Sequence, residues 1–419
     1  MDLKDKLKYF EKDFTHPKTI SVSHENDIDL YIEGEEISGD FGKYFLSSKT
    51  YPSDTRHGRV PIHSVRETDP AIFRLVARDD TFPNVDFSRT FFIDTETTGL
   101  AGGTGTVPFL IGIGYFIEGG FRIDQYFMRD YHEETAVLNA VKDQFENCQV
   151  LVSYNGKCYD LNLLASRFTL SRMKNPATDI PHLDLLFPVR RLWRRRIGDC
   201  SLSNVERMIL GFERENDIPG FLIPSIYFEY LRTRSGRSLA TVFQHNRWDI
   251  IALVALAGLT GQIHQTPLEK LSHPADLYSL GRTFESMSRT ESAIVCLKEA
   301  IRRSGGPDEN EEMFSTLGML YKRLEYWEEA LEIWQSMVDH SVGGVSPYEE
   351  IAKYFEHRKR DYPQAIEIVN RALKRIQLAE GLRPEYRHAV DRQDLEYRLA
   401  RLIRKLNEKK HKENRWIGK

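Results

Sequence analysis

Two acidic residues follow an apolar run and are spaced to act as a pair. Asp94 and Glu96 come directly after Phe91, Phe92 and Ile93, and they lie two residues apart. On a strand, residues two apart face the same side, so the two carboxylates would point together. Such neighbours repel unless a cation or a proton lies between them, and oxygen ligands suit hard divalent cations. For this pair alone, two solvated acids at a strand end are the alternative.

Two further segments add acids to this pair. Asp160 follows an apolar run and a polar turn at Asn155, and Asp249 comes four residues after His245. On a helix, His245 and Asp249 lie one turn apart on the same face. Four carboxylates with a nearby imidazole suit two metal ions about 4 Å apart, which clamp the attacking and leaving oxygens of a phosphodiester. His245 would be a general base or would orient the attacking water.

The three segments resemble the sequence motifs of the DEDD superfamily, the DnaQ-like and ribonuclease-H-like 3′–5′ exonucleases. Asp94 with Glu96 is similar to the first motif, Asn155 through Asp160 to the second, and His245 with Asp249 to the third. In members whose third motif has a histidine, the histidine usually stands five residues before the last aspartate, whereas members with a tyrosine have it four residues before. Here His245 stands four residues before Asp249, which is the tyrosine spacing. The role of His245 as base, as water-positioning residue or as a more distant support therefore stays open.

The wider pattern resembles exonucleases of the YprB type (mitomycin repair factor B). It combines the three motifs with the glycine-rich segment 101–106 and with C-terminal repeats. The resemblance implies degradation of DNA from 3′ ends with two divalent metal ions, Mg²⁺ or Mn²⁺, in bacterial DNA repair. It also implies a DEAD-box-type helicase as a partner.

The predicted site has a metal-binding part and a substrate-binding part. We predict that Asp94, Glu96, Asp160 and Asp249 hold the metals and that His245 completes the catalytic set. The basic run at residues 190–196 offers guanidinium groups for phosphates and an indole that could stack on a base, although a solvated helix face is an equal alternative. The residues predicted to contact substrate are Thr97, Asn155, Tyr159, Arg190, Arg191, Trp193 and Arg194.

The chain divides into regions of different pattern. Short β-branched and aromatic runs followed by helical stretches predict an α/β ribonuclease-H-like domain at 56–265, with a mixed sheet flanked by helices. Near the C-terminus, seven positions starting at Leu277 recur with the same spacing from Phe314. Their types and period resemble the tetratricopeptide repeat, which predicts an all-α repeat domain with a capping helix at 270–419. Residues 1–55 read as a poorly defined N-terminal extension.

Composition excludes several other classes of protein. The 419 residues carry 58 Lys and Arg against 62 Asp and Glu, with no apolar run long enough for a membrane span. The start lacks the apolar block of a signal peptide, so we expect a cytoplasmic protein without membrane contact. The four cysteines are too far apart for a zinc ribbon. No Gly-Lys-Ser/Thr occurs, so we expect no nucleotide cofactor, and opening a duplex would fall to a partner.

Two other functions stay open at this point. One is a catalytically inert nucleic-acid-binding adaptor in which the repeats matter. The other is a structure-specific endonuclease, or an RNase, on the same fold. Four crowded carboxylates count against the adaptor, because an inert scaffold has no need of them. The resemblance favours DNA over RNA, and blocking the 3′ end of the substrate would separate an exonuclease from an endonuclease.

Overall fold

The chain folds into two compact units. In a computed structural model, the described residues are 27–99, 105–382 and 389–417. The first unit contains the described residues up to Arg190 together with Asp199–Gln265, and the second contains Arg191–Gly198 together with the described residues from Thr266 onward. The first is an α/β unit and the second is helical. This confirms the predicted mixed-sheet domain followed by an all-α region.

The first unit is built on a mixed β-sheet. Its strands are β1 (Glu35–Gly39), β2 (Gly42–Pro52), β3 (Arg56–His57), β4 (Val60–Pro61), β5 (Thr90–Thr97), β6 (Pro108–Ile117), β7 (Gly120–Phe127), β8 (Val150–Ser153) and β9 (His182–Asp184). Among the described residues, seven strands form one sheet in the order β1-β2-β7-β6-β5-β8-β9, and β3 pairs with β4 in a separate hairpin. β5 pairs with β8 and β8 with β9 in parallel, and the other pairs are antiparallel.

Helices connect and flank these strands. They are α1 (Phe73–Ala77), α2 (Glu134–Phe145), α3 (Asp160–Leu170), α4 (Leu186–Ile197), α5 (Leu202–Val205), α6 (Ile223–Thr233) and α7 (Leu239–Gln265), and a wider π-type turn covers Glu206–Leu210. Single turns of 3₁₀ helix lie at Ile28–Leu30, Pro70–Ile72, Phe87–Arg89, Tyr131–Glu133 and Gly220–Leu222, and a longer one at Ile62–Glu67. Helix α3 begins at Asp160 of the second acidic motif, and α7 contains His245 and Asp249 of the third. The site therefore depends on how these two helices pack.

Residues 35–52 correct the predicted domain boundary. β2 pairs with β7 from Phe45 to Pro52, and β1 pairs with β2, so both strands belong to the sheet of the α/β unit. Phe45 is buried and its ring packs on Phe243. The prediction of a poorly defined extension at 1–55 is therefore wrong for these strands. Serines and lysines interrupt the apolar alternation of β2, so its sequence does not have the usual pattern of a strand. Its partner strand β7 also lies far along the chain. Residues 1–26 of that extension lie outside the described part.

Helix α7 lies close to β6 because two glycines face it. A Cβ atom on Gly112 would lie 2.2 Å from Oδ1 of Asn246, and one on Gly114 would lie 2.5 Å from a methyl group of Ile250. Residues two apart on a strand share a face, so the glycines form one shallow surface for the helix. The close approach brings Asn246 within hydrogen-bond distance of Asp94 on β5.

Replacing Gly112 by alanine should displace α7 and weaken the fold. The added methyl group would overlap Asn246, and overpacking of this kind costs about 1–3 kcal/mol. Urea unfolding measures the loss. Gly39→Ala is the matched control, because a Cβ atom there meets no atom within 4 Å. Equal stability of the two variants would contradict the role of Gly112 in seating α7.

The second unit is a series of packed helix pairs. Its helices are α8 (Pro267–Lys270), α9 (Pro274–Ser286), α10 (Thr290–Arg303), α11 (Pro307–Arg323), α12 (Trp327–Asp339), α13 (Ser346–Tyr354), α14 (Tyr362–Leu382) and α15 (Ala389–Ile417), with a π-type turn at Phe355–Lys359. The packed pairs are α9 with α10, α11 with α12, α13 with α14, and α14 with α15. Within the three described ranges, no helix has both the length and the apolar character needed to cross a bilayer.

The recurring small residues lie where two helices of a pair meet. A Cβ atom on Gly281 would lie 2.9 Å from the side chain of Leu297, and one on Gly318 would lie 2.6 Å from that of Trp334. The two pairs occupy equivalent positions of the 37-residue offset read from the sequence. The assignment to the tetratricopeptide family stays a prediction, since the structure gives helix pairs without testing the family.

Candidate active site

The first and second motifs meet at the end of β5. Asp94 and Glu96 lie on that strand, and Asp160 is the first residue of α3. The hydroxyl of Thr95 donates a 2.5 Å hydrogen bond to Oδ1 of Asp160. This bond ties the start of α3 to the strand that carries the acidic pair. Asp249 reaches the same place from α7, and its charge acts on both Asp94 and Glu96.

Burial and mutual repulsion raise the pKa of three of these acids. For Asp94, burial has the largest effect, followed by the charges of Asp249 and Asp160. Burial, followed by the charge of Asp94, raises the pKa of Glu96 well above its usual range. Burial raises the pKa of Asp160 to about 6, although the Thr95 hydrogen bond works in the opposite direction. The cluster therefore needs a proton or a cation to offset its charge.

The donor atoms of the cluster fit a divalent cation. Oε1 of Glu96 is buried and has no hydrogen-bond partner among the described residues. Glu96, His245 and Asp249 each offer a ligand atom, and these atoms lie within 4.8 Å of one another. Carboxylate oxygens are the ligands that Mg²⁺ and Mn²⁺ prefer. Asp94 and Asp160 stand outside this group of three, but their charges act on Glu96.

His245 is held between two carboxylates. Its Nδ1 lies 2.7 Å from Oδ1 of Asp217, and its Nε2 lies 3.5 Å from Oδ2 of Asp249. Burial lowers the pKa of His245, but the Asp217 hydrogen bond and the charge of Asp249 outweigh it and raise the pKa overall. When Nδ1–H donates to Asp217, Nε2 presents its lone pair toward the acids. Asp217 therefore orients the imidazole.

Arg214 brings a buried guanidinium to the same cluster. Its side chain is 6 % exposed and contacts Asp249, Asp217 at 3.2 Å and Glu206 at 2.7 Å. Its charge lowers the pKa of Asp94 and Glu96, against the stronger effects that raise them. Glu206 is buried and also lies 2.7 Å from Nε2 of His57. Sequence reasoning missed Arg214 and Glu206, because no local spacing links them to the acidic motifs.

Asn246 fixes the position of Asp94. Its Nδ2 donates to Oδ2 of Asp94 at 2.8 Å, and its Oδ1 accepts from Nε2 of Gln125 at 2.8 Å. Asn246 directly follows His245, so its place inside the third motif was the available signal. A hydrogen bond to the ionised carboxylate favours the charged form, as a metal ligand requires.

A buried aspartate shapes the turn of the second motif. Asp184 on β9 accepts hydrogen bonds from the backbone N–H groups of Asn155 at 2.7 Å and Lys157 at 3.1 Å. It also accepts from the N–H of Leu186 at the start of α4. Asn155 has a φ of 63°, so the turn needs such support. Asp184 thereby helps to deliver Asp160 to the site.

Two of the predicted substrate contacts bond to the protein's own backbone. The Thr97 hydroxyl donates to the carbonyl oxygen of Gly99 at 2.8 Å, and the Tyr159 hydroxyl donates to the same oxygen at 3.2 Å. Both side chains therefore fix the backbone just after β5. The glycine-rich segment that follows lies largely outside the described residues, which resume at Gly105.

The basic run on α4 corrects another prediction. Trp193 is 1 % exposed, so its indole cannot stack on a base, and its prediction as a substrate contact is wrong. The reason is amphipathicity, since Leu192 and Trp193 fall on the buried face of the helix. Arg190 and Arg194 are exposed and Arg191 is half-buried. Arg190 belongs to the first unit, whereas Arg191, Trp193 and Arg194 belong to the second.

We expect the metal-free protein to lose stability as the pH rises through about 6. The ordinary pKa of Asp160 is 3.8 and the folded one about 6, so between these values the folded state binds more protons than the unfolded state. The stability that Asp160 contributes is fully present below the pKa of the unfolded state, and it is lost as the pH rises through the pKa of the folded state. Bound Mg²⁺ would replace the proton. The melting temperature in Mg²⁺ minus that in EDTA should therefore increase between about pH 5 and about pH 8.

Differential scanning fluorimetry measures that shift across the pH series. Asp160→Asn serves as the control, because it lacks the titrating carboxyl and should lose this part of the pH dependence. A Mg²⁺-induced shift that is the same at all pH values in the native protein would contradict the expected charge in the cluster.

Comparison with known proteins agrees with this geometry. The family described as RNase_H_2, of the RNase_H superfamily, matches residues 91–260, a range that contains all three acidic motifs. YprB of Bacillus subtilis (strain 168), described as an uncharacterized protein, is 29% identical over 362 residues, which are 85% of this chain and 84% of YprB.

A solved structure gives a more distant match. The family B DNA polymerase from the hyperthermophilic archaeon Pyrobaculum calidifontis is 14% identical, with a TM-score of 0.33, and the alignment covers 46% of this chain and 28% of the polymerase. At that TM-score the match bears on neither fold nor function. The superfamily match and the similarity to YprB are the comparisons that carry weight. Residues 91–260 of this chain therefore resemble the RNase_H superfamily in sequence, on the mixed sheet flanked by helices described above.

Proposed function

We propose that this protein is a metal-dependent 3′–5′ exonuclease that hydrolyses the phosphodiester bonds of DNA in bacterial DNA repair. The observation that carries the proposal is the cluster of Asp94, Glu96, Asp160 and Asp249, with Oε1 of Glu96 buried and unpartnered within the described part of the chain. Such a cluster costs stability unless cations bind it, which an inert adaptor does not need. The 3′–5′ polarity and the preference for DNA rest on the resemblance of the three motifs.

The four carboxylates would hold two divalent ions, Mg²⁺ or Mn²⁺. Bound ions of this kind supply a more acidic water and stabilise the charge that develops at phosphorus. In the proposal, Nε2 of His245 accepts the proton of the attacking water, while Asp217 keeps the opposite ring nitrogen protonated. Asn246 and Thr95 hold Asp94 and Asp160 in place through the hydrogen bonds described above.

A cavity beside the acids offers room for the end of a strand. It has a volume of about 310 Å³, and Arg214 and Asp217 form the wall nearest to His245 and Asp249. Its other lining residues are Asp199, Ser201, Ser203, Asn204, Arg207, Phe212 and Glu213. We place the terminal nucleotide in this cavity, where hydroxyl, amide and guanidinium groups can bind its polar edges.

The remaining substrate contacts are part of the same proposal. The exposed side chains of Asn155, Arg190, and Arg194, together with the half-buried Arg191, would contact backbone phosphates. Thr97 and Tyr159 act as positioning residues through Gly99. A helicase partner for the helical unit and a cytoplasmic location stay predictions from the sequence.

His245→Gln should reduce the rate of hydrolysis by about 100-fold, the usual contribution of a general base. If His245 acts on water, Mn²⁺ affinity should change by less than about threefold, whereas loss of a metal ligand would weaken it by about tenfold or more. Single-turnover rates and Mn²⁺ titration by calorimetry measure the two effects. A variant that keeps the native rate would rule out a direct role for His245 in the reaction.

A substrate panel tests polarity and sugar preference. We expect single-stranded DNA with a free 3′ end to be shortened to mononucleotides, and DNA with a blocked 3′ terminus to resist. Cleavage of the blocked DNA would instead indicate an endonuclease. Faster hydrolysis of matching RNA than of DNA would overturn the proposed substrate but leave the chemistry intact.

A further inference from the structure

The helical unit contains a basic cavity that the nuclease proposal does not use. It has a volume of about 330 Å³ and collects side chains from α11, α12, α13, α15 and the π-type turn. Apart from one indole, every lining residue is basic. The lining residues are Lys322, Trp327, Lys353, His357, Arg358, Arg398 and Arg401.

A buried carboxylate fixes two of these cations. Glu356 is 0 % exposed and lies 2.8 Å from Arg401, 3.2 Å from Arg398 and 2.9 Å from Lys405. Burial works to raise the pKa of Glu356, but the hydrogen bonds from Arg401 and Lys405 lower it to about 2. Three cations therefore share one buried negative charge, and their positions are set before any ligand arrives.

A second buried carboxylate holds the two lysines. Glu350 contacts Lys322 and lies 2.7 Å from Lys353. Five cations share the buried carboxylates of Glu350 and Glu356, and Lys353 also lies 3.5 Å from Glu349, so five positive charges against three negative ones leave an excess of two. An excess of this kind, held at fixed positions, favours an anionic ligand over an empty cavity.

The remaining two basic residues stand at the solvent side of the cavity. Arg358 is 48 % exposed and its guanidinium lies 4.5 Å from the ring centre of Trp327, and His357 is 56 % exposed. Arg358 also pairs with the exposed Glu325 at 2.6 Å. Nε2 of His357 lies 3.5 Å from Oε2 of Glu356, and neither His357 nor Arg358 is buried, so both side chains can turn toward a ligand without breaking the core.

We infer that this cavity binds a phosphomonoester, the group found at the terminus of a nucleic-acid strand or on a free nucleotide. A phosphomonoester is close to a dianion at neutral pH, which matches the excess of positive charge better than a single carboxylate does. Arginine guanidinium groups bind its oxygens in a fork. The exposed acids Glu325 and Glu328, which pair with Arg358 and Lys359, would repel a long run of phosphates and so favour one terminal group.

Binding in EDTA tests the inference without the metal-dependent reaction. The full chain is titrated into 3′-fluorescein-labelled single-stranded DNA that carries either a 5′-phosphate or a 5′-hydroxyl, and anisotropy is read. We expect the phosphorylated strand to bind at least tenfold more tightly, and thymidine 5′-monophosphate, but not thymidine, to compete. Competition by the mononucleotide at low concentration would identify a free nucleotide as the preferred source, and weak competition would identify a strand terminus.

The variants locate the binding. His357→Gln with Arg358→Gln should remove most of the preference for the 5′-phosphate. Arg302→Gln is the matched control, because Arg302 is an exposed arginine of the same unit that pairs with Glu299, and it should keep the preference. As a second test, Arg401→Gln with Glu356→Gln removes one cation and its buried partner together, and it should weaken binding of the phosphorylated strand.

Three results would overturn the inference. The first is equal binding of the phosphorylated and hydroxyl strands. The second is a 5′-phosphate preference that survives in both double variants. The third is displacement by a polyglutamate peptide but not by the mononucleotide, which would indicate an acidic protein segment as the occupant. None of them touches the nuclease proposal, since no metal is present in the assay.

Discussion

Asp160→Asn should remove nuclease activity and, at the same time, stabilise the metal-free protein. The substitution keeps the shape of the side chain and an oxygen that can accept the Thr95 hydrogen bond. It removes one negative charge from a cluster in which Asp94 and Glu96 already have strongly raised pKa values, because of burial first and of their charged neighbours second. Less repulsion should raise the melting temperature in EDTA by a few degrees, since about 1 kcal/mol shifts it by about 2–4 °C.

The activity should move in the opposite direction. A neutral amide is a much weaker ligand of a hard cation than a carboxylate, and the lost stabilisation of the transition state amounts to several kcal/mol. We therefore expect the rate of hydrolysis to fall by about 1,000-fold or more. Asp143→Asn on α2 is the matched control, because Asp143 is exposed and its carboxylate accepts a hydrogen bond from the side chain of Asn139, which an amide oxygen can also accept. A variant that is both inactive and less stable in EDTA would show that Asp160 supports the fold and would contradict its role as a ligand.

Arg214→Gln should give the largest loss of stability among single substitutions at the site. The guanidinium pairs with Glu206, Asp217 and Asp249 while almost fully buried, and its removal leaves the buried Glu206 in contact with Nε2 of His57 but without a guanidinium partner. Breaking a buried pair by removing one member costs about 3–5 kcal/mol. Urea unfolding of the metal-free protein measures the loss, and Arg207→Gln, which changes an exposed arginine that bonds Asn204, is the control.

A compensating change separates the buried charge from other effects. Glu206→Gln introduced together with Arg214→Gln should recover part of the lost stability. Arg214→Gln alone leaves a buried carboxylate without its guanidinium partner, and Glu206→Gln removes that carboxylate. Unchanged stability in Arg214→Gln, or no recovery in the double variant, would show that the Arg214–Glu206 contact does not anchor the site.

The parts of the site that could be predicted are those encoded by local spacing. Asp94 and Glu96 share a strand, and His245 and Asp249 share one helical turn, so their proximity follows from secondary structure alone. Arg214 and Asp217 lie in the loop that follows the π-type turn of Glu206, in a part of the chain that contains none of the acidic motifs. The contacts of Arg214 with Asp249 and of Asp217 with His245 depend on how α7 packs, which no local pattern encodes.

Two errors have the same physical origin. β2 has a weak apolar alternation, and its register with β7 is set by residues about 75 positions away, so it did not look like a strand of the sheet. In the run at 190–196, the arginines suggested contacts with phosphates, whereas the structure shows that Trp193 is buried. A residue on an amphipathic helix can be read as exposed or buried from the sequence only when the orientation of the helix is known.

The most direct test of the account is the hydrolysis of 5′-labelled single-stranded DNA by the native protein and by Asp160→Asn, each in Mg²⁺, in Mn²⁺ and in EDTA. The account predicts a ladder that shortens from the 3′ end with the native protein and either metal, no cleavage in EDTA, and at most trace cleavage with Asp160→Asn. Native activity that persists in EDTA, or a variant as active as the native protein, would contradict the claim that these carboxylates form a metal-dependent nuclease site.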